Sequence, residues 1–460
     1  MMKRRDALKT IGGLGAAAGM AHILPGCGGG GGGPKGITTY VFMMMENRSY
    51  DHFFGSRSMI EGKPGNGPNM AMTNPDIHQM PISLWSPDKN QLCDIDPPHG
   101  WDAAHAQWNN GLNDGFVQTH QLDHNSSTAI EPMQYLLRKH VPVSYALADR
   151  YATADRWFCS VMGPTWPNRF YWHAASSEGR MDNTLPAGML LSGPSIYHRL
   201  EAKGIPWAYY YGNIPVVSLY QGVNVDRVHR FTDFLADAKL GKLPPVVYID
   251  PAFNSNDDHP PVHPINGQEL IATVYTALAT SPQWDNCLLV LTYDEHGGFF
   301  DHVSPPKTVD ERAAQGFDQL GFRVPTMVIG PYVKQGYVSS ITYEHTSVLR
   351  HIEKTFGLDP LNQRSAAAAD LSDFLDMDRL AKNNPADPIE IPMVDPTDTT
   401  QWPMDAVCFT GSVREANPIL DWADSRPAAL AGGLDLRAET PEYRRAIREF
   451  LAENRGALVK

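Results

Sequence analysis

Four short polar segments interrupt otherwise apolar sequence, and the first opens with a carboxylate beside an amide. Glu46 and Asn47 follow directly on an apolar run at 37–45. At the end of a strand, their side-chain oxygens can present two hard ligands to a divalent cation. A helix N-terminus with a salt bridge is the other interpretation, and the pair alone does not exclude it.

The second segment contributes histidines. His99 and His105 lie among prolines and aromatic residues. Imidazoles in such a setting can bind a phosphate or a metal, although a histidine in a loop usually does neither. His259 and His345 stand in two further polar stretches and are additional candidates.

The third segment places a hydroxyl in a stiff turn. Thr165 lies between Pro164 and Pro167. The prolines restrict the backbone, so the hydroxyl loses little entropy when it is positioned. Beside a cation, a threonine hydroxyl can deprotonate and attack phosphorus. Taken in isolation, a structural turn is the simpler interpretation.

The fourth segment is the densest in metal-binding side chains. Asp294 and Glu295 end an apolar run, two glycines follow at 297–298, and Asp301 and His302 come next. The glycines allow the backbone to approach closely, and the acids supply hard oxygen ligands. This segment favours metal-assisted chemistry over a purely structural role.

The elements that position these residues follow an α/β pattern. Fully apolar runs are typical of strands covered on both faces of a parallel sheet, and helical patterns alternate with them here. Catalytic groups gather beyond the carboxyl ends of such strands, where Glu46 and Asp294 fall. We therefore predict a largely parallel central sheet flanked by helices. The expected strands are 37–45, 245–249, 287–293 and 324–329, and the expected helices are 132–151, 267–280, 345–356 and one from about residue 441.

Composition excludes several classes of protein. The 460 residues are 42% hydrophobic and 19% charged, which indicates a globular chain. The formal net charge of −13 argues against nucleic-acid binding. An integral membrane protein is not expected, because no run of about 20 strongly apolar residues occurs.

The N-terminus has the pattern of an export signal. Arg4 and Arg5 precede a weakly apolar stretch, as in twin-arginine signals. Cys27 ends a sequence typical of a lipoprotein cleavage box, and ordinary cleavage with secretion is the alternative. We expect a signal peptide at 1–26, a glycine-rich tether at 27–36 and a periplasmic or extracellular location. The sequence leaves the pairing of four further cysteines open: Cys93, Cys159, Cys287 and Cys408.

Several of these segments, in this order, resemble the bacterial phosphoesterase family of phosphatidylcholine-type phospholipases C and related acid phosphatases. The resemblance covers roughly residues 37–375, which we assign to a catalytic domain, with 376–460 as a C-terminal extension packed on it. The matching motifs are Glu-Asn-Arg-Ser-Tyr-Asp-His (46–52), Gly-Pro-Thr-Trp-Pro-Asn-Arg (163–169), Tyr-Asp-Glu-His-Gly-Gly-Phe-Phe-Asp-His-Val (293–303), Gly-Phe-Arg-Val-Pro (321–325) and His-Thr-Ser (345–347).

The resemblance implies an alkaline-phosphatase-like α/β sandwich and a role for each site residue. One divalent cation would be held by four ligands, Thr165 would be the nucleophile, and three histidines would contact phosphate or move protons. Four further residues would contact the substrate. The implied metal ligands are Glu46, Asn47, Asp294 and Glu295; the histidines are His99, His259 and His302; the substrate contacts are Arg169, Asn168, His105 and His345.

The expected function is hydrolysis of a phospholipid diester through a phosphothreonine intermediate, with peripheral membrane contact. A broad acid phosphatase is the alternative, and an inactive binding lipoprotein is the remote one. A phospholipase C also needs an apolar rim. Phe53-Phe54, Trp166 and Phe299-Phe300 could supply it, although core packing is equally possible for each.

Overall fold

An eight-stranded sheet forms the centre of the protein. The computed structural model describes residues 36–88, 92–184, 191–398, 436–455 and 457. The export signal, the tether with Cys27, and Cys408 lie outside these residues. The described strands are β1 (Thr39–Met45), β2 (Thr73–Pro75), β3 (Pro81–Ser83), β4 (Ala152–Ala154), β5 (Trp157–Phe158), β6 (Trp207–Tyr211), β7 (Val228–Arg230), β8 (Val246–Asp250), β9 (Cys287–Tyr293), β10 (Met327–Ile329), β11 (Val338–Ser339) and β12 (Tyr343–Glu344).

The strand order in the central sheet is β11-β4-β10-β9-β1-β8-β6-β7. All neighbours are parallel except β10, which runs antiparallel to both β9 and β4. Every residue of β1 and of β9 is buried. Because both faces of these strands are covered, their sequences are continuous apolar runs rather than alternating ones. The largely parallel sheet predicted from the sequence is confirmed.

Helices cover the sheet, as predicted. The described helices are α1 (Tyr50–Met59), α2 (Trp101–Trp108), α3 (Phe116–Asp123), α4 (Pro142–Arg150), α5 (Thr165–Ala174), α6 (Ile196–Lys203), α7 (Phe231–Leu240), α8 (Pro264–Ala279), α9 (Thr346–Phe356), α10 (Gln363–Ala367), α11 (Met377–Lys382) and α12 (Leu436–Glu453). None of the described helices is both long enough and apolar enough to cross a bilayer.

Two predicted elements differ from the structure at their ends. The helix expected over 132–151 forms only as α4, because Pro142 occupies its first turn and a separate 3-10 turn covers Glu131–Met133. The strand expected over 324–329 is shortened to β10, since Val324 instead donates its N–H to the carbonyl of Trp157. Cys159 and Cys287 are buried free thiols, as expected, whereas Cys93 is disulfide-bonded.

An insertion between α1 and α4 carries the hairpin β2–β3 and helices α2 and α3. It has its own small apolar cluster, which includes Phe116 and Met133. Phe300 and Phe322, which lie outside the insertion, belong to the same cluster. This second cluster fixes the insertion against the segment that follows β9.

Candidate active site

The register of the sheet brings acidic residues from three strands to one edge. Met45 of β1 pairs with Tyr293 of β9. Glu46 and Asp294, the next residue of each chain segment, therefore leave the sheet side by side. Asp250 ends β8 on the other side of β1, and all three side chains are buried. The edge is the carboxyl end of the parallel strands, where ligands of such sheets bind.

Backbone contacts lock the two halves of the candidate metal site together. The N–H of Asn47 donates to Asp294 Oδ1 at 3.0 Å, and the N–H of Arg48 donates to the carbonyl of Glu295 at 3.1 Å. A Cβ on Gly297 would lie 2.2 Å from the carbonyl oxygen of Asn47. No side chain fits in that space, which explains the glycine that follows the acidic pair.

All four predicted metal ligands carry a buried oxygen without a hydrogen-bond partner. These atoms are Glu46 Oε1, Asn47 Oδ1, Asp294 Oδ2 and Glu295 Oε1. Buried polar atoms are nearly always hydrogen-bonded, so four such oxygens at one sheet edge are unusual. Two of them, Glu46 Oε1 and Asp294 Oδ2, lie at ion-pair distance from Arg169, and Asn47 Oδ1 and Glu295 Oε1 have no hydrogen bond to offset their burial. The donor set of three carboxylates and one amide is the type that Mg²⁺, Mn²⁺ or Ca²⁺ prefers. The residues present therefore fit a divalent cation.

The pKa shifts of the acidic side chains are consistent with a cation at this place. Burial and the neighbouring charge of Asp294 raise the pKa of Glu46 well above its usual range. Burial likewise raises the pKa of Asp294 to about 6, against the opposing effect of Arg169. Without a cation the carboxylates repel one another in a poorly solvated place, and a bound cation would relieve that repulsion.

Arg169 occupies the side of the site that faces the protein interior. Its guanidinium lies 3.0 Å from Asp250 Oδ1, 3.3 Å from Glu46 Oε1 and 3.5 Å from Asp294 Oδ2. The side chain is fully buried and also donates to two carbonyls of β1. The sequence assigned Arg169 to substrate contact; the structure places it as an internal counter-charge for the acids.

Asn168 also has internal partners in place of the predicted substrate contact. Its side chain accepts from the N–H of Val161 and donates to the carbonyls of Val161, Gly163 and Pro164. These bonds shape the turn that leads into α5. Asn168 therefore positions the turn on which the candidate nucleophile is carried.

Thr165 is the first residue of α5 and is 4% exposed. Arg169 is four positions further along the helix, so the two side chains share one face, about one turn apart. Since Arg169 contacts Glu46 and Asp294, this face of α5 is turned toward the candidate metal site. The N-terminus of a helix also favours a phosphate group beside it.

Two histidines and Asp96 form a group on the outer side of the site. The Nε2 atom of His99 lies 3.1 Å from Asn47 Nδ2 and 3.9 Å from Glu295 Oε1. Asp96 lies 3.7 Å from His99 Nδ1 and 4.0 Å from His259 Nε2. Burial lowers the pKa of His99, but Glu295 and Asp96 outweigh it and raise the pKa to about 9. Asp96, His99 and His259 are close enough to hold a metal together.

Each ring of this pair is oriented by a carbonyl. His99 donates from Nδ1 to the carbonyl of Pro97 at 2.8 Å, and His259 does the same to Pro260 at 2.6 Å. Both Nε2 atoms are thereby left for the site. His99 thus lies beside the metal-ligand candidates with His259 next to it, and their action on phosphate stays a prediction.

His302 lies in a different cluster. Its Nδ1 and backbone N–H both bond Asp51 Oδ2, at 2.6 Å and 2.8 Å. Arg323 holds Asp51 and Asp301 at 2.7 Å and 2.9 Å, which completes a buried charge network. Among the described residues, His302 bonds Asp51, Asn66 and Arg323, and none of these is a metal-ligand candidate. The structure therefore gives His302 a place in a network that fixes the start of α1, instead of the predicted catalytic position.

His345 and His105 also differ from their predicted substrate contacts. His345 is buried, donates from Nε2 to the carbonyl of Asp294 at 2.6 Å and accepts from Trp157 Nε1 at 3.4 Å. Burial lowers its pKa to about 4, so it is a neutral positioning residue. His105 sits on α2, where its Nδ1 donates to the carbonyl of Trp101 at 2.7 Å. Their positions next to matched motifs do not by themselves bring them to the substrate.

Of the two roles left open for the motif aromatics, apolar rim or core packing, the structure shows core packing. Phe53, Phe54, Trp166 and Phe299 are at most 2% exposed, and Phe300 is 6% exposed. These rings point into the protein and pack in its core, so they do not form a rim at the surface. Asp96 and Asp250 were missed as site residues, although the acid directly after the apolar run at 245–249 was a signal for Asp250.

Comparison with known proteins gives consistent results. The sequence model of the Phosphoesterase family matches residues 37–359. Non-specific phospholipase C6 of Arabidopsis thaliana is 31% identical, over 92% of this chain and 88% of its own length. Non-specific phospholipase C1 of the same plant is 33% identical, over 70% and 67%. Phospholipase C A of Mycobacterium tuberculosis is 29% identical, over 78% and 81%.

Two solved structures are similar to this chain at low TM-scores. A protein of the alkaline phosphatase superfamily from Vibrio parahaemolyticus matches with a TM-score of 0.34 and 12% identity, over 51% of this chain and 64% of its own. The phosphonate monoester hydrolase of Agrobacterium radiobacter matches with a TM-score of 0.37 and 10% identity, over 74% and 77%.

Proposed function

Because this chain belongs to the phosphoesterase family, whose members are hydrolases of phosphoric ester bonds, we propose that it is a metal-dependent phospholipase C. The substrate class is the phosphatidylcholine-type diester, and the products are diacylglycerol and the phosphorylated head group. One observation carries the proposal: Glu46, Asn47, Asp294 and Glu295 each hold a buried oxygen without a hydrogen bond at the sheet edge where β1 and β9 end. Helix α5, which begins at Thr165, reaches this edge through Arg169.

A divalent cation held by Glu46, Asn47, Asp294 and Glu295 would supply Lewis-acid stabilisation of the phosphoryl oxygens. The remaining chemistry belongs to the side chains of this chain. The Thr165 hydroxyl attacks phosphorus, so that the Thr165 Oγ–P bond forms and the bond to the diacylglycerol oxygen breaks. Water then cleaves the phosphothreonine and releases the phosphorylated head group.

His99 and His259 are the groups that exchange protons with the reacting oxygens. Each has its Nδ1 fixed by a carbonyl and its Nε2 on the side of the site, as general acid–base catalysis requires. The carboxylate of Asp96 lies 3.7 Å from His99 Nδ1 and 4.0 Å from His259 Nε2, so its charge favours protonated rings.

A substrate panel tests the proposal. Phosphatidylcholine, phosphatidylethanolamine, sphingomyelin, p-nitrophenylphosphorylcholine and p-nitrophenylphosphate are assayed with and without a chelator. Diacylglycerol release from phosphatidylcholine, abolished by chelator and restored by a divalent cation, supports the proposal. Cleavage of the monoester alone identifies an acid phosphatase, and no turnover of any substrate identifies a binding protein.

We also propose that the protein is exported by the twin-arginine route and acts in the periplasm or outside the cell. The Arg4-Arg5 pair supports this, and so does the disulfide at Cys93, because disulfides persist in oxidising compartments. Changing both arginines to lysine should retain the precursor in the cytoplasm. Cys27→Ala should release the protein from the membrane fraction if that residue is lipidated.

A further inference from the structure

The insertion between α1 and α4 exposes large apolar side chains near the candidate active site. They are Ile77, Met80, Ile95, Leu112 and Leu122, which are 36–71% exposed. Single exposed apolar residues need no explanation, but a grouped set marks an interaction site. We call these five residues the apolar surface.

Hydrogen bonds bring the segments that carry the apolar surface together. The N–H of Ile77 donates to the side chain of Gln121, the neighbour of Leu122, at 3.0 Å. The side chain of Asn74 in β2 donates to the carbonyl of Asn113, the neighbour of Leu112, at 2.9 Å. The turn of the β2–β3 hairpin therefore lies against α3 and the loop before it.

The turn itself is rigid. The carboxylate of Asp76 accepts from the N–H groups of His78 and Met80, at 2.8 Å and 2.7 Å. Beneath it, Val117 donates its N–H to Asn74. Met80 is thus held in an exposed position by its own backbone, and no part of the described chain covers it, since it is 60% exposed.

The segments that carry the apolar surface are joined to the candidate active site. Ile95 directly precedes Asp96, whose carboxylate lies near His99 and His259. The carbonyl of Asp96 accepts from His124 at 3.0 Å, two residues beyond Leu122. A body that contacts Ile95 and Leu122 would therefore lie beside the histidine group of the site.

The charges around the apolar surface are mostly negative. Residues 64–137 contain eight aspartate and glutamate residues and one lysine or arginine, Lys89. Anionic lipids attract basic surfaces, so this face is not built for them. A zwitterionic bilayer presents its ammonium groups outermost and its acyl chains beneath, which suits acidic and apolar side chains together.

We propose that the apolar surface is the face with which this protein docks on a zwitterionic lipid bilayer. The inference rests on the proposed function, since docking would bring the ester of a bilayer lipid to the site. It assigns the contact to the insertion, and the buried phenylalanines of the motifs take no part in it.

Paired aspartate substitutions test the docking face. Met80→Asp with Leu122→Asp places two charges on the apolar surface. The matched control is Leu240→Asp with Met377→Asp, because these side chains are 60% and 63% exposed on α7 and α11. All proteins are the full chain, and their melting temperatures should agree, since none of the four side chains is buried.

Vesicle binding is measured by co-sedimentation with phosphatidylcholine vesicles in chelator, where turnover is absent. The surface variant should bind at least about tenfold more weakly than the wild type, and the control should bind like the wild type. Vesicles containing phosphatidylglycerol should bind all three proteins less well. The rate on p-nitrophenylphosphorylcholine, which needs no bilayer, should be the same in all three.

Three results would overturn the docking face. Vesicle binding of the surface variant equal to that of the control is the first. Stronger binding to phosphatidylglycerol vesicles is the second. The third is an oligomeric wild type that the surface variant converts to a monomer, which would make the face a contact between copies. Wild-type vesicle binding without hydrolysis of phosphatidylcholine would support docking and refute the proposed substrate, so the two failures are distinguishable.

Discussion

The backbone N–H of Asn47 donates to the carboxylate of Asp294 at 3.0 Å, although the two residues are 247 positions apart in the sequence. The bond joins the ends of β1 and β9, which are neighbours in the sheet. A ligand candidate on one strand thus orients a ligand candidate on the next. The candidate metal site is therefore a property of the sheet register and not of either motif alone.

Thr165→Val should abolish turnover without unfolding the protein. Valine is nearly the same size, and the turn before α5 is held by Asn168 and not by the Thr165 side chain. Loss of a covalent nucleophile should reduce kcat by at least about 10³-fold. Thr165→Ser is the matched control. It should keep part of the activity and should still form a phosphoenzyme that can be trapped. More than a tenth of wild-type activity in the valine variant would exclude the role.

Asp294→Asn should remove the metal and leave the metal-free protein at least as stable as the wild type. The substitution takes one charge out of a buried group of carboxylates that repel one another. Metal content after dialysis and the melting temperature in chelator are the measurements. Asp378→Asn, on an exposed side chain of α11, is the control and should change neither. Full metal occupancy in Asp294→Asn would contradict the site.

His302→Ala and His99→Ala should separate stability from catalysis. His302 bonds Asp51 within a buried charge network, so its loss should lower the melting temperature. His99 is partly exposed at the site, so its loss should leave the fold intact and reduce kcat by about 10²-fold or more. Thermal unfolding and initial rates on p-nitrophenylphosphorylcholine distinguish the two variants. The opposite pattern would return His302 to the catalytic site.

Stability should fall between about pH 5 and pH 8 partly because of Glu269. Burial in α8 raises the pKa of this side chain to about 7, despite Arg448 of α12 at 3.5 Å. A carboxyl group with a raised pKa stabilises the fold below its unfolded pKa, and this contribution is lost as the pH rises through the folded value. Glu269→Gln should therefore make the free energy of unfolding less dependent on pH. At pH 8 the substitution should raise that free energy by on the order of 3 kcal/mol. Urea unfolding at pH 5 and pH 8 measures it, and an unchanged pH slope would refute the assignment.

The diester p-nitrophenylphosphorylcholine should be hydrolysed with a higher kcat/KM than the monoester p-nitrophenylphosphate at neutral pH. The reason is charge: the chain is acidic, and the buried Arg169 is committed to three carboxylates. A dianionic monoester meets more repulsion than a zwitterionic diester. Rates at two salt concentrations test whether charge repulsion is the cause, since screening by salt should reduce the difference in kcat/KM between the diester and the monoester. A tenfold preference for the monoester would indicate an acid phosphatase.

The sequence was informative where burial alone determines the pattern. β1 and β9 are covered on both faces, so their apolar runs predicted strands and the acids after them predicted the site edge. The sequence around His302 gave no such information. An aspartate followed by a histidine occurs both in catalytic pairs and in structural charge networks, so the pattern does not distinguish the two. The direction in which Phe53 and Phe299 point depends on packing across the sheet, which no local pattern contains.

The insertion that carries His99 and the apolar surface is separate in sequence from the metal-ligand candidates at the sheet edge. If the apolar surface docks on a bilayer, changes confined to the β2–β3 turn would alter docking without altering His99 or the metal-ligand candidates. Replacing the β2–β3 turn with that of a relative is an engineering route to new lipid preference, because such a graft leaves β1, β9 and α5 unchanged. The same arrangement would allow homologues to keep one catalytic centre while the surface that contacts the lipid changes.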